Sequence, residues 1–338
     1  MISLFFLLVI FLLSVFLTWV IRRYAISRNV IDIPTARSSH SNPTPRGGGV
    51  AIVLTFLCGL PVLSIMGYLS WYSTLTFMGA GAGVAILGFL DDHGHIPARW
   101  RLLGHFAAAV WAMYWLGKMP SVVFFGAEFE LGWLGTFMVV LYLVWMLNLY
   151  NFMDGIDGIA SVEAIFACLG ACLLYSQSGF ESLIVAPLVL AMAVSGFLCW
   201  NFPPARIFMG DAGSGFLGII LGILSLQAAS ASPKLLWSWL ILLGVFIVDA
   251  TFTLLRRLMR GDKVYEAHRS HAYQFASRRY GSHLPVTLAV AAINLFWLLP
   301  LAASVVLWEV DGTLALIVAY APLLALAACF QAGKLERV

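Results

Sequence analysis

Apolar runs of about 20 residues recur along this chain, and short polar connections separate them. Of its 338 residues only 10% are charged, whereas 62% are hydrophobic. Soluble domains carry about 25% charged residues, and a membrane-spanning helix needs about 20 mainly apolar residues. The pattern therefore predicts an all-α polytopic membrane protein with one domain over residues 1–338. We expect about 11 spans, or 10 because two of the runs are short, at 2–21, 48–67, 71–90, 102–117, 132–150, 159–176, 183–200, 214–230, 236–255, 286–307 and 313–331.

Basic residues are concentrated in alternate connections, and this bias indicates how the chain is oriented. The odd-numbered connections hold five, two, none, one and seven Lys or Arg residues, and the C-terminal tail holds two. Those are 17 of the 19, so only Lys118 and Lys234 remain for the other side. We therefore expect a periplasmic N-terminus and a cytoplasmic C-terminus. Arg22 and Arg23 follow the first run without a small-residue cleavage site, so we expect that run to be retained as a span.

Five polar clusters fall on the side assigned to the cytoplasm. They lie near residues 37–49, 91–101, 148–158, 201–214 and 256–285. The connections on the other side are short and carry few polar residues. The sequence therefore predicts an active cleft on the cytoplasmic face, which favours a soluble cytoplasmic substrate.

The cluster NLYNFMDGIDG, at residues 148–158, lies between two apolar runs. Its polar side chains, Asn148, Asn151, Asp154 and Asp157, are spaced by three, so each neighbouring pair would share one face of a helix. Two glycines within the cluster predict that the helix unwinds here and lets the carboxylates converge on a ligand. The alternative is a helix cap followed by a turn, but a cap does not need four polar side chains.

Three further acids are expected at the same depth of the membrane. Asp91 and Asp92 are adjacent at the end of the third run, and Asp211 lies in the turn GDAGS. Neighbouring carboxylates repel one another unless a cation compensates, and oxygen ligands of this kind suit Mg²⁺ or Mn²⁺. The alternative is that each acid pairs with an arginine such as Arg99, Arg101 or Arg206.

Basic groups lie in two other clusters. His268, Arg269 and His271 belong to the most basic loop, where cationic side chains could hold a diphosphate; solvated loop histidines are the alternative. Arg46 precedes three glycines in TPRGGG, which is typical of an anion-binding loop or of a flexible turn before the second span. Two acids inside predicted spans, Asp249 and Glu163, are functional candidates by position alone.

Taken together and in this order, Asp91-Asp92, NxxNxxDGxDG, FMGDAGS and the histidine loop resemble the polyprenyl-phosphate N-acetylhexosamine-1-phosphate transferases. The resemblance extends from about Arg37 to Gln274. It implies that Asp91 and Asp92 are catalytic and that Asp211, with Asp92 and Asp154, holds Mg²⁺ or Mn²⁺. It also implies a binding set for the nucleotide sugar: Asn148, Asn151, Asp154, Asp157, Arg46, His268, Arg269 and His271.

The resemblance also implies the reaction. The phosphate of undecaprenyl phosphate would attack a UDP-N-acetylhexosamine in the bacterial cytoplasmic membrane, forming a lipid-linked diphosphosugar and UMP. The acid pair is followed by His95 where some members have another Asp, and the histidine loop reads HRSH. Both features resemble the O-antigen-initiating branch, whose donors are UDP-N-acetylglucosamine or its 6-deoxy relatives UDP-N-acetylfucosamine and UDP-N-acetylquinovosamine.

Two other classes of protein account for part of the pattern. An ion-coupled transporter would also have broken helices and buried acids, but its acids should lie near the bilayer midplane. A structural membrane subunit leaves the acid clusters unexplained. We expect contacts with membrane lipid and no nucleic-acid partner, and a homodimer is one option for the oligomeric state.

Overall fold

The structure is a computed structural model that describes residues 3–34, 39–40, 42–94, 96–117, 121–262 and 268–335. These ranges are mainly helical, as an apolar chain in lipid must be, because a helix satisfies its backbone hydrogen bonds internally. The helices α1 to α14 are, in order, Leu4–Ser27, Val50–Ile65, Trp71–His93, Ala98–Leu116, Gly132–Met153, Ile159–Ser178, Val185–Asn201, Asp211–Ala231, Pro233–Leu242, Gly244–Met259, Ala272–Tyr280, Leu284–Ile293, Leu299–Leu307 and Gly312–Cys329.

Short elements connect several of these helices. A 3₁₀ turn, Glu181–Leu183, precedes α7, and a π-helical segment, Asn294–Leu298, joins α12 to α13. Strand β1 (Ile31–Asp32) pairs antiparallel with β2 (Thr44–Pro45), and β3 (Val122–Phe124) pairs antiparallel with β4 (Ala127–Phe129).

Every predicted apolar run coincides with one helix or with two consecutive helices. Eight helical segments in the described residues are long and apolar enough to cross a membrane, and the pair α9 and α10, bent by 72°, would make a ninth. Helix α2 has only 16 residues, and α4 begins with the charged segment that carries Arg99 and Arg101. The structure thus confirms an all-α, multi-pass membrane protein, whereas the count of 11 spans and the orientation stay predictions.

Helix α8 forms the centre of the bundle, where it packs against α3 and α5. Small residues permit this close approach. A Cβ at Gly88 of α3 would lie 2.5 Å from the backbone nitrogen of Ala212, and a Cβ at Gly218 would lie 2.5 Å from the carbonyl oxygen of Met146 in α5. Glycine at helix crossings brings backbones together in membranes, where van der Waals packing drives association. The close packing of α8 against α3 and α5 therefore fixes the position of Asp211, the first residue of α8.

The helix carrying the polar cluster at residues 148–158 is interrupted as predicted. Helix α5 ends at Met153 and α6 begins at Ile159. Gly158 adopts φ +75°, a conformation that side chains other than glycine's rarely adopt. Residues 154–158 thus form a non-helical turn between two membrane helices. Parts of the predicted clusters, namely residues 37–38, 41, 95 and 263–267, lie outside the described residues.

Candidate active site

All five predicted clusters contribute residues to one cavity of about 210 Å³. The helix ends that carry these clusters therefore lie at one end of the bundle. Six of the predicted site residues line the cavity: Arg46, Asp92, Asn151, Asp154, Asp157 and Asp211. The lining also includes Asp32, Ser39, His40, Asn201, Phe208, Gln274 and His283, among others. Residues far apart in the sequence thus form a single acidic site.

The adjacent acids Asp91 and Asp92 have different environments. Asp91 accepts hydrogen bonds from the guanidinium of Arg101 (2.5 Å) and from the backbone N–H of Ile96 (2.9 Å), and it does not line the cavity. Asp92 does line it, and its carboxylate accepts the backbone N–H of Asp211 at 3.3 Å. Pairing with an arginine, the alternative weighed from the sequence, is close for Asp91 and looser for Asp92 and Asp211, which lie 3.7 and 3.9 Å from Arg46 and Arg101.

Asp211 lies at the start of α8, next to polar groups from α5. Asn151 donates a hydrogen bond from its side-chain amide to Asp211 (3.0 Å) and another to the hydroxyl of Ser214 (2.9 Å). The second carboxylate oxygen of Asp211 is 3.9 Å from Arg101. Asn151 therefore orients one oxygen of Asp211, while the other lies near a single distant cation.

Negative charge accumulates in this cavity. Burial, and after it the carboxylates of Asp211, Asp92 and Asp157, raise the pKa of Asp154 to about 8. Such a pKa means that an ionised Asp154 lacks a compensating cation in its own surroundings. A bound cation would favour the ionised form.

The acids fit a magnesium ion that shares its ligands with a substrate. No three His, Cys, Asp or Glu groups of the described chain lie close enough together to form a ready-made metal site. Mg²⁺ is commonly held by one or two carboxylates while water and substrate phosphates complete the octahedron. Asp211, Asp92 and Asp154, which line the same cavity, carry hard oxygen atoms of the kind that one- or two-carboxylate magnesium sites use.

Arg46 is positioned by pairing of the glycine segment with the chain that precedes α8. The backbone N–H groups of Gly48 and Gly49 donate to the carbonyls of Phe208 (2.9 Å) and Met209 (2.8 Å). These two N–H groups are therefore not available to an anion, contrary to the interpretation of TPRGGG as a phosphate loop. A Cβ at Gly49 would lie 2.4 Å from Gly213, so glycine is needed here for close backbone packing.

The side chain of Arg46 lies over the acids. Its guanidinium donates to the carbonyl oxygen of Asp92, and its Nε is 3.7 Å from the Asp92 carboxylate. Arg46 is the one Arg or Lys lining this cavity among the residues that the structure describes. It is therefore the cation best placed to meet a phosphate there.

The predicted histidines lie beside the cavity rather than in its lining. The rings of His268 and His271 stack with their centroids 4.9 Å apart, next to Phe152. Burial, followed by the nearby His271, lowers the pKa of His268 to about 3. His268 is thus neutral near pH 7, so any phosphate contact would rely on a neutral ring N–H rather than on an imidazolium.

His271 is buried and held in place by an acid in α10. Its Nδ1 lies 3.3 Å from Asp249, which also accepts the backbone N–H groups of Ala272 and Tyr273 at the start of α11. Its Nε2 has no hydrogen-bond partner in the described part of the protein. Asp249, a candidate from its position in the sequence, therefore orients the histidine loop.

Two of the polar residues singled out in the sequence, one amide and one acid, lie outside the acidic cavity. Asn148 donates to the carbonyl of Val144 at 2.7 Å and, with Asn151, Arg101 and Asp211, lines a small adjacent cavity. Glu163 is fully buried and accepts a hydrogen bond from Asn294 at 2.6 Å.

Several lining residues were not predicted. Asn201 and His40 belong to polar clusters that the sequence did indicate, and Phe208 precedes the GDAGS turn. Gln274 belongs to the histidine loop. His283 is an isolated histidine, and no motif marks it.

This arrangement defines the class of the protein: a multi-pass membrane protein with an acidic, arginine-containing cavity at one end of its helix bundle. Comparison with known proteins agrees with that class. The sequence model of glycosyl transferase family 4 matches residues 74–229.

Three curated relatives support the same assignment. A probable undecaprenyl-phosphate N-acetylglucosaminyl 1-phosphate transferase of Bacillus subtilis is 34% identical over 76% of this chain and 72% of its own length. An undecaprenyl-phosphate alpha-N-acetylglucosaminyl 1-phosphate transferase of Thermotoga maritima is 28% identical over 84% and 86%. A decaprenyl-phosphate N-acetylglucosaminephosphotransferase of Mycobacterium tuberculosis is 29% identical over 81% and 75%.

The chain therefore belongs to glycosyl transferase family 4, and it is an enzyme of the sugar-1-phosphate transferase type. The predicted resemblance to these transferases is confirmed at the level of the family. The transporter alternative finds no support among the relatives.

Proposed function

We propose that this protein transfers N-acetylglucosamine 1-phosphate, or the 1-phosphate of a 6-deoxy N-acetylhexosamine, from a UDP-sugar to undecaprenyl phosphate. The observation that carries the proposal is the convergence of Arg46, Asn151 and five carboxylates on one cavity, although they come from well-separated parts of the chain. The relatives are named for polyprenyl phosphates and N-acetylglucosamine. That sugar is therefore the first donor to test, with the 6-deoxy sugars next because of the HRSH loop.

In the proposed reaction, an oxygen of the lipid phosphate forms a bond to the β-phosphorus of the donor. The bond between that phosphorus and the bridging oxygen breaks, and UMP leaves with the bonding electrons. A phosphate monoester has a second pKa of about 6, so the lipid is already mostly ionised and needs no strong base. The enzyme's tasks are to position both phosphates and to offset their charge.

The chain's own residues divide these tasks. Arg46 meets a donor phosphate, and Asn151 orients Asp211 by its 3.0 Å hydrogen bond. Asp92 and Asp91 assist the attack of the lipid phosphate: Asp92 from inside the cavity, and Asp91 through Arg101, which also approaches Asp211. His268, Arg269 and His271, with Asn148 and Asp157, complete the surroundings of the donor.

Asp211, Asp92 and Asp154 would hold Mg²⁺, with Mn²⁺ as a substitute. When bound, the ion offsets charge on the donor's diphosphate. The accumulated carboxylates and the raised pKa of Asp154 support this assignment.

We also propose that the cavity opens to the cytoplasm and that the protein resides in the bacterial cytoplasmic membrane. The support is the concentration of 17 of the 19 Lys and Arg residues in connections on one side. The product would initiate a lipid-linked glycan such as O-antigen, and a homodimer is compatible with the exposed apolar helices.

The experiment uses purified protein with undecaprenyl phosphate, Mg²⁺ and a panel of UDP-N-acetyl sugars. UMP release is measured, and the lipid product is identified by mass. We expect UMP release only with the lipid and a product heavier by one N-acetylhexosamine phosphate. Absence of lipid-dependent UMP release with every donor would refute the proposal.

A further inference from the structure

A second, larger cavity of about 570 Å³ adjoins the acidic one. Five residues line both cavities and so form their common boundary: Ser39, His40, Asp157, Phe208 and His283. The acidic cavity alone, at about 210 Å³, is smaller than the roughly 300–1,000 Å³ of ligand pockets. A ligand as large as a nucleotide sugar must therefore extend past this boundary.

His283 connects two segments at the boundary. Its Nδ1 is 3.1 Å from the carboxylate of Asp157, and its Nε2 is 3.0 Å from the backbone carbonyl oxygen of Ser39. A carbonyl oxygen only accepts hydrogen bonds, so Nε2 carries a proton. Burial lowers the pKa of His283, but its contacts with Asp157 outweigh burial and raise it. The backbone N–H of Asp157 also lies 3.4 Å from Nδ1, so the ring contacts Asp157 through both its side chain and its backbone.

The other contacts of Asp157 hold its backbone and one carboxylate oxygen. The backbone N–H of Ala205 donates to Oδ2 (3.0 Å), and the hydroxyl of Thr287 donates to its carbonyl oxygen (2.8 Å). In the described part of the chain, the partner of Oδ1 is His283. His283 and the N–H of Ala205 therefore fix the direction of the carboxylate together, one at each oxygen.

We propose that His283 is a positioning residue for the sugar-nucleotide donor. It fixes the carboxylate of Asp157 and joins it to the Ser39 segment, so that the boundary between the two cavities keeps the shape the donor needs. The inference rests on the proposed function and extends it to a residue outside the sequence motifs. The lipid acceptor does not depend on this boundary.

Two substitutions separate the two contacts of the ring. The amide of Asn places its polar atoms near the position of Nδ1 and can still bond Asp157, whereas the longer Gln reaches toward Ser39 instead. We expect His283→Gln to raise the donor KM by at least about tenfold, since a hydrogen bond to a charged group is lost. In His283→Asn the donor KM should stay close to that of the wild type, because the contact with Asp157 is kept. The KM for undecaprenyl phosphate and the kcat at saturating donor should change by less than about threefold.

Arg279→Gln is the matched control. It removes a cation from the exposed end of α11, outside both cavities, and we expect the kinetics of the wild type. Elution from size-exclusion chromatography identifies any variant that does not fold.

If His283→Gln lowers the stability of the protein, a double-mutant cycle with Asp157 still tests the proposal. Asp157→Asn should raise the donor KM by itself, and adding His283→Gln should raise it little further, because both changes remove the same contact. Full additivity would contradict the proposal, and so would equal losses in His283→Asn and His283→Gln or a rise in the lipid KM alone. If the wild type is active and the variants give one of these contradicting results, only this inference is refuted. If the wild type shows no lipid-dependent UMP release, the proposed function itself is refuted.

Discussion

The carboxylate of Asp92 accepts a hydrogen bond from the backbone N–H of Asp211 at 3.3 Å. This contact joins the last turn of α3 to the first turn of α8. The backbone N–H of Ala212 approaches the same carboxylate at 3.5 Å. The N-terminus of α8 stabilises the negative charge of the Asp92 carboxylate. This interaction offsets the repulsion between Asp92 and the carboxylates of Asp211 and Asp154, which line the same cavity.

Asp92→Asn should reduce turnover by at least about 100-fold, because one of the preorganised charges that position the reacting phosphates is lost. Asp91→Asn should also cost orders of magnitude, because Arg101 loses its partner next to Asp211. Donor binding, measured by calorimetry with the UDP-sugar, should persist in both variants. Loss of donor binding in step with turnover would assign these acids to the donor instead.

Asp211→Asn should abolish activity at ordinary Mg²⁺ concentrations, because a neutral amide is a poorer ligand than a carboxylate for a hard cation. The measurement is a titration of initial rate against Mg²⁺ and Mn²⁺. Ser225→Ala is a suitable control in the same helix, since Ser225 bonds to Tyr142 and lies outside the cavity. Near-normal turnover by Asp211→Asn would remove Asp211 from the metal site.

Asp154→Asn should stabilise the metal-free protein at pH 8. The carboxyl has a pKa of about 8 in the folded protein and about 3.9 when unfolded, so the folded state binds more protons between these values. The wild type therefore loses stability as the pH rises from about 4 to about 8. The variant lacks this loss.

The check for Asp154 is thermal unfolding in EDTA at pH 5 and pH 8. The gain in Tm of the variant should be larger at pH 8, and Mg²⁺ should reduce it by favouring the wild type. Asp311→Asn, the same change in the acid that caps α14, serves as the control because it lies outside the cavity. An equal or reversed gain at the two pH values would contradict the assignment.

His268→Ala and His271→Ala should weaken use of the UDP-sugar and leave the activating Mg²⁺ concentration nearly unchanged. The reason is that these rings lie beside Phe152 and outside the cavity that contains the acids. Donor KM and the Mg²⁺ titration are measured on the same preparations. A large rise in the metal requirement with an unchanged donor KM would make the histidines metal ligands.

Much of the site could be predicted because its acids follow or precede apolar runs. Helices of similar length bring such positions to one end of a bundle, so Asp92, Asp154 and Asp211 were expected to meet. The interruption of the helix at residues 154–158 was expected from Gly155 and Gly158, and the structure confirms it.

Other features depend on packing that no local pattern records. Adjacent residues on a helix point about 100° apart, so which of Asp91 and Asp92 lines the cavity is decided by α8 and by Arg101. His283 bonds to Ser39 across 244 positions of the sequence, and an isolated histidine gives no sign of that contact. The pairing of Gly48 and Gly49 with residues 208–209 likewise required the tertiary structure.

The most direct test of the account is exchange of labelled UMP into the UDP-sugar by rigorously delipidated protein, with and without undecaprenyl phosphate. In the direct reaction the lipid phosphate is the nucleophile, so label should enter the UDP-sugar only when undecaprenyl phosphate is present. A carboxylate that attacked first would form an acyl-phosphate enzyme and release UMP before any lipid bound. We predict no exchange without lipid and clear exchange with it; exchange in the absence of lipid would contradict direct attack.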